Sequence, residues 1–141
     1  MDFRTTFDDV ADLYDSIRPR YPEALFAALV SVTGLEPGAH LLEIAPGTGQ
    51  ATEPLAARGY RITAVELGAN MARIARKRLE TYQNVEIINS SYEDADLPAG
   101  GFDLVYAATA FHWIDSTVRF TKTHTLLKQP GYLRDLPEAR F

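Results

Sequence analysis

The chain has 141 residues, a formal net charge of −5 at pH 7 and no cysteine. This length fits one domain with a buried core, and the acidic charge disfavours sequence-independent nucleic-acid binding, which depends on Lys and Arg. The lack of cysteine excludes disulfides, thiolate metal sites and cysteine nucleophiles. From the charge we expect no nucleic-acid partner, and we assign no metal site. No apolar run reaches membrane-spanning length, so we expect a cytoplasmic protein with no membrane partner.

The amino-terminal part of the chain is predicted to be helical. Apolar residues at helical spacing over 8–17 indicate a first helix, which cannot continue through Pro19 and Pro22. A second helix is predicted from Glu23, with Gly34 as the residue that caps it.

From residue 40 onward, short apolar runs alternate with helical stretches. Strands are predicted over 40–44, 61–66, 85–89 and 103–107, helices near 50–58 and 70–82, and a last helix after Asp115. Nearly continuous apolar strands that are joined by helices form parallel sheets covered on both faces. We therefore predict an α/β fold with a doubly wound, mostly parallel sheet of the Rossmann-like type.

A glycine-containing turn follows the first predicted strand and opens the next helix, in the segment Glu43-Ile44-Ala45-Pro46-Gly47-Thr48-Gly49. Glycines let backbone amides approach a ligand closely, and the helix N-terminus adds a partial positive charge. Glu66 ends the next strand about 20 residues further on, where a carboxylate can accept hydrogen bonds from ribose hydroxyls. The pattern therefore favours a ligand that contains a nucleoside.

Two classes of cofactor fit this pattern, namely dinucleotides and S-adenosylmethionine. Glu43 would repel a pyrophosphate, but it suits a ligand that carries an ammonium and a sulfonium group. Thr52 also occupies the place of the third glycine in the dinucleotide fingerprint. S-adenosylmethionine is thus favoured, and NAD is the weaker alternative.

Over roughly residues 7–128 the sequence resembles the class I S-adenosylmethionine-dependent methyltransferases, especially the small-molecule group with an aromatic-rich N-terminal helix. Ala45 stands where the family usually has glycine, so its methyl group is expected to lower cofactor affinity. By this resemblance the methionine portion of the cofactor would be bound by Glu43, Ala45, Gly47 and Gly49. Glu66 would bind the ribose. The adenine would be bound by Leu67, Tyr92 and either Glu93 or Asp94.

The resemblance also assigns residues on the side of the acceptor. Residues 1–33 would form an N-terminal helical lid region in which Tyr14 and Arg18 contact the cofactor carboxylate, although a core-edge aromatic and a surface charge are the ordinary alternatives. Ala107 lies on the fourth strand, whose exit would face cofactor and acceptor. His112 follows this exit and is the candidate general base. A small-molecule methyl acceptor is expected, since the Asn/Asp-Pro-Pro-aromatic signature of amino-methylating nucleic-acid enzymes is absent.

The tail over 129–141 departs from the family pattern. Family members usually continue with Pro-Gly-Gly, an apolar fifth strand, further helices and two last strands, whereas Arg134, Asp135 and Pro137 predict a poor buried strand here. We therefore expect a C-terminally truncated domain in which methyl transfer is impaired, or a cofactor-binding remnant without turnover. An open sheet edge would then favour a homodimer.

Overall fold

The computed structural model describes residues 22–108 and 116–136. Its elements are α1 Glu23–Thr33, β1 His40–Ile44, α2 Thr52–Ala57, β2 Arg61–Glu66, α3 Ala69–Arg78, β3 Val85–Asn89, β4 Phe102–Ala108, α4 Ser116–Leu126 and β5 Leu127–Leu136. The strands form one sheet in the order β3-β2-β1-β4-β5, and every neighbouring pair is parallel. The predicted doubly wound parallel sheet is therefore confirmed.

Helix α1 ends where the sequence predicts. Gly34 adopts a left-handed conformation with φ of 64°, and its N–H donates to the carbonyl of Val30 at 2.9 Å. This is the usual way in which a glycine terminates a helix. The helix predicted over 8–17 lies outside the described residues. None of the helices that the structure describes is long and apolar enough to cross a membrane.

Both faces of the sheet are covered. Along β1, Leu41 belongs to a core cluster with Phe26 of α1 and Leu55 of α2, whereas Leu42 belongs to a second cluster with Leu126 of α4. Adjacent residues of a strand point to opposite faces, so α1 and α2 cover one face and α4 covers the other. This explains why β1 reads as an almost uninterrupted apolar run.

The C-terminal segment differs from the expectation. The sequence predicts a poor buried strand there, and the structure instead has an edge strand, β5, which pairs with β4 at Leu127 and from Tyr132 to Leu136. Leu127 pairs with Phe102 and Tyr132 with Leu104, so residues 128–131, which include a proline, loop out of the register.

The position of β5 at the edge of the sheet explains why polar residues are tolerated in it. Tyr132 and Leu133 are half-buried and pack against opposite core clusters. The guanidinium carbon of Arg134 lies 5.4 Å from the centroid of the Tyr132 ring, so this charged side chain packs over an aromatic neighbour. Edge strands carry such residues at little cost, because one side of the strand is open to solvent.

Candidate functional site

The candidate site lies at the carboxyl ends of β1, β2 and β4. The chain leaves β1 toward β2 on one side, whereas β4 lies on the other side of β1, so the strand order reverses at the β1–β4 pair. Ligands of open α/β sheets bind in the crevice outside such a reversal. Glu43 pairs with Tyr106 and Ile44 with Ala107 at this point of the register.

The loop after β1 is built from residues in an unusual backbone conformation. Ala45, Gly47 and Gly49 have φ values of 56°, 61° and 99°. Only glycine adopts this region without a steric penalty from Cβ. Ala45 is held there by its N–H, which donates to the carbonyl of Val65 at 2.8 Å. The alanine therefore carries backbone strain at the position where the resembling family has glycine, in addition to the bulk of its methyl group.

Glu66 connects the second strand to this loop. One carboxylate oxygen accepts the backbone N–H of Gly47 at 2.9 Å, and the other accepts the N–H of Gly68 at 2.8 Å. The side chain is 4% exposed. Hydrogen bonds to a charged acceptor are stronger than neutral ones, so Glu66 organises the glycine loop. Its carboxylate therefore lies at the point where the end of β2 meets the glycine loop.

Asn89 supports the same corner from the third strand and was not singled out by the sequence. Its side-chain amide donates to the carbonyls of Glu66 at 2.9 Å and Leu67 at 3.1 Å. The N–H of Ser90 also donates to the carbonyl of Glu66, at 3.0 Å. Asn89 pairs directly with Glu66 in the sheet. A polar residue at the end of the third predicted strand was the feature of the sequence that could have indicated this role.

Glu43 is fully buried beneath the loop. The hydroxyl of Thr52 donates to its Oε1 at 2.6 Å, and the hydroxyl of Tyr106 donates to the same oxygen at 2.7 Å. Burial, followed by the charge of Glu43, raises the pKa of Tyr106 well above its usual value of about 10. Tyr106 is thus a neutral hydrogen-bond donor to the side chain of Glu43 at neutral pH.

Thr52 has a role that the sequence interpretation did not give it. It occupies the third-glycine place of the dinucleotide fingerprint, and in the structure it begins α2 and reaches back to Glu43. Its hydroxyl, together with that of Tyr106, stabilises the buried carboxylate. Two features of the sequence could have indicated these contacts. One is a threonine at the start of the helix that follows the glycine loop, and the other is a tyrosine on the fourth strand.

The loop between β3 and β4 contains the residues predicted to meet adenine. The Tyr92 side chain is buried, and its hydroxyl lies 2.8 Å from the hydroxyl of Thr123 on α4. This side chain therefore joins the loop to α4. Glu93 is half-buried and Asp94 is exposed, while Ser91 accepts the N–H of Asp94 at 3.1 Å through its hydroxyl oxygen.

Two other predicted residues are placed in the described part of the chain. Ala107 is buried beside Ile44, and Leu67 is half-buried at the exit of β2 next to Glu66. The structure thus brings the predicted residues of β1, β2 and β4 together at the carboxyl ends of these strands. Tyr14, Arg18 and His112 lie beyond the described ranges, and their assignments stay predictions.

The chain belongs to the methyltransferase domain family. The family model matches residues 42–134, a segment that starts in β1, ends in β5 and includes the glycine loop, Glu66 and the loop between β3 and β4. Of the two interpretations left open by the sequence, this match supports the methyltransferase and not the dinucleotide-binding domain.

Similar proteins include methyltransferases with different names. A candidate methyltransferase from Dictyostelium discoideum is 32% identical over 133 residues, which are 92% of this chain and 49% of that protein. The ribosomal RNA small subunit methyltransferase A of Shouchella clausii is 30% identical over 105 residues, which are 74% of this chain and 35% of that protein. The chain therefore spans about half or less of the length of these relatives.

A solved structure shows the same fold. Phosphoethanolamine N-methyltransferase 2 from Haemonchus contortus, in complex with phosphomonomethylethanolamine and S-adenosylhomocysteine, has a TM-score of 0.75 and 21% identity. The match covers 90% of this chain and 32% of that one.

Proposed function

We propose that the protein transfers a methyl group from S-adenosylmethionine to a small-molecule acceptor. Membership of the methyltransferase domain family supports the reaction class. The main structural support for the cofactor site is the position of Glu66 at the carboxyl end of β2. Its two carboxylate oxygens accept the N–H groups of Gly47 and Gly68. A carboxylate at the end of the second strand, beside a glycine loop, is suited to a ribose.

The residues present fit the cofactor. Glu66 would accept the ribose hydroxyls, and Leu67 would pack beside the adenine, whose amino group would donate to the loop that contains Glu93 and Asp94. The backbone from Ala45 to Gly49 would line the methionine portion. Glu43 lies one layer deeper, with Tyr106 and Thr52 on one oxygen, so it would favour the cationic end of the cofactor through its charge and not through direct contact.

The main tasks of the protein in this reaction would be to align the methyl donor with the acceptor and to exclude water. When bound, S-adenosylmethionine supplies a methyl group on a sulfonium that is already an activated leaving group. His112 would accept a proton if the acceptor must lose one. Tyr14 and Arg18 would contact the cofactor carboxylate from the lid region.

Two kinds of acceptor are consistent with the relatives. The net charge of −5 favours a small molecule, since binding to RNA depends on Lys and Arg contacts to phosphates. A ribosomal RNA methyltransferase among the relatives makes RNA the second candidate.

A labelling experiment separates these acceptors. The chain is incubated with S-adenosylmethionine that carries a tritiated methyl group, together with either purified ribosomal RNA or a deproteinised small-molecule extract. We expect label in organic-soluble products of the extract and none in acid-precipitated RNA, whereas the reverse would contradict the small-molecule proposal. Cofactor binding without label in either fraction would instead support the remnant without turnover.

A further inference from the structure

The ammonium group of Lys122 lies at the junction between α4 and the loop that joins β3 to β4. It donates to the backbone carbonyl oxygens of Tyr92 at 2.6 Å, Glu93 at 3.4 Å and Ala95 at a short distance. It also lies 5.2 Å from the centroid of the Tyr92 ring. One side chain of α4 thus donates to three carbonyl groups of a short loop segment.

The shape of this segment depends on a cation at its centre. Carbonyl oxygens that converge on one point repel each other unless a donor with several protons lies between them, and a lysine ammonium has three. Inside the loop, the carbonyl and the hydroxyl of Ser91 accept the N–H groups of Ala95 and Asp94. These internal bonds close the turn, but they leave the carbonyls to Lys122.

Charge supports the same arrangement. Burial lowers the pKa of Lys122, and the carboxylates of Asp94, Asp96 and Glu93 oppose this shift. The ammonium therefore offsets the mutual repulsion of three acidic side chains on one loop. Without it, the loop would be expected to open toward solvent.

We propose that Lys122 is a positioning residue that fixes the loop segment 91–95 in the conformation that reads the adenine amino group. This rests on the proposed function, because it requires an adenine-containing cofactor at this loop. Lys122 itself points to the backbone of the loop from α4, so it acts on the cofactor through the loop and not by contact. Lys122 would thereby connect recognition of the cofactor to α4, the helix that follows β4 in the chain.

The test compares two ligands that differ only at the adenine amino group. S-adenosylhomocysteine carries this group, and S-inosylhomocysteine has a carbonyl oxygen in its place. We expect the unmodified chain to bind the first about tenfold more tightly, which corresponds to one hydrogen bond. In Lys122→Met, affinity for S-adenosylhomocysteine should fall about tenfold while affinity for S-inosylhomocysteine stays within about twofold, so that discrimination is lost.

Two further variants separate positioning from general destabilisation. Lys122→Arg keeps a cation with several donors and should retain most of the discrimination. Thr123→Val removes the hydroxyl that meets Tyr92 but leaves the ammonium in place, so it should lower the melting temperature and keep the preference between the two ligands. Should Lys122→Met not fold, Lys122→Gln, which keeps a single amide donor group, takes its place.

Several outcomes would overturn the inference. An equal loss of affinity for both ligands in Lys122→Met would mean a structural role only, and unchanged affinities would mean no role. An unmodified chain that binds both ligands equally would show that the loop does not read the amino group, although cofactor binding would stand. A chain that binds neither ligand would contradict the proposed function itself.

Discussion

The carboxylate of Glu66 accepts the backbone N–H of Gly47 at 2.9 Å, so the end of β2 holds the glycine loop that follows β1. Its second oxygen accepts the N–H of Gly68 at 2.8 Å, at the start of the segment that leads into α3. One buried side chain thereby fixes two backbone turns at the same edge of the sheet. Glu66 therefore contributes directly to the conformation of the glycine loop.

Substitution of Glu66 should weaken cofactor binding strongly. In Glu66→Ala, both the ribose acceptor and the bond to Gly47 are lost, and we expect the affinity for S-adenosylhomocysteine to fall by about 1–3 kcal/mol. Glu66→Gln is the matched control, because its amide oxygen can still accept one N–H while its amide nitrogen cannot accept the other. Titration calorimetry should rank the affinities as unmodified, then Gln, then Ala. Undiminished affinity in Glu66→Ala would refute the ribose assignment.

Ala45→Gly should stabilise the protein and improve cofactor binding. The backbone of Ala45 has φ of 56°, which costs an L-residue with a Cβ about 1–2 kcal/mol, whereas glycine loses more entropy on folding, by about 0.5–1 kcal/mol. The net stabilisation is therefore expected to be about 0.5–1 kcal/mol. Urea denaturation measures it, and calorimetry should show tighter binding of S-adenosylhomocysteine.

The matched control for this substitution is Ala57→Gly. Ala57 is exposed at the end of α2, so glycine there should destabilise the protein by roughly 0.5–1 kcal/mol. The two alanines are thus expected to respond with opposite signs. A loss of stability in both variants would show that strain at Ala45 is not significant.

Tyr106→Phe should destabilise the protein most at neutral pH. The substitution removes the donor that lies 2.7 Å from the Glu43 carboxylate inside the core, at a cost of about 1–3 kcal/mol. The raised pKa of Tyr106 means that the unfolded chain loses this proton at a lower pH than the folded chain does. The stabilisation is therefore complete below about pH 10 and declines as the pH rises from there toward the folded pKa.

The pH dependence tests whether the pKa of Tyr106 is raised in the folded chain. The difference in unfolding free energy between the unmodified chain and Tyr106→Phe should narrow above about pH 10. A difference that stays constant between neutral and alkaline pH would contradict a raised pKa of the buried Tyr106 hydroxyl. Tyr92→Phe is the comparison, since that hydroxyl meets Thr123 and not a carboxylate.

The open edge of the sheet leads us to expect self-association. In the described ranges β5 pairs with β4 alone, so its other side presents unpaired backbone groups. Val32 is the one exposed large hydrophobic residue among the described side chains. The expectation of a dimer therefore rests on the open edge of β5 and not on an apolar surface patch. A two-fold dimer is the commonest closed solution. Light scattering across a dilution series should show a concentration-dependent mass, and a constant monomeric mass would contradict the prediction.

The inner strands were predictable because their burial is simple. β1, β2 and β3 have the predicted bounds, and β4 is one residue longer at each end, since apolar runs between glycines and prolines mark strands that are covered on both faces. Arg134, Asp135 and Pro137 led us to predict a poor buried strand, whereas β5 lies at the edge of the sheet, where such residues are tolerated. Whether a strand lies at the edge depends on the sheet as a whole, which local sequence does not reveal.

The site was predictable in position but not in its internal contacts. The sequence placed Glu43 and Glu66 at neighbouring strand ends, because the carboxyl ends of parallel strands meet at one edge. It could not show that Tyr106 and Glu43 face each other, since this depends on the register between strands that are far apart in the chain. The contact of Lys122 with the loop after β3 depends likewise on how α4 packs.

Titration calorimetry of the unmodified chain with S-adenosylhomocysteine and, separately, with NAD tests the central claim most directly. The geometry of Glu66, the glycine loop and Glu43 predicts that S-adenosylhomocysteine binds with a measurable heat. Binding of NAD should be much weaker, because the Glu43 charge opposes a pyrophosphate. Tighter binding of NAD, or no heat of binding with S-adenosylhomocysteine, would contradict the account.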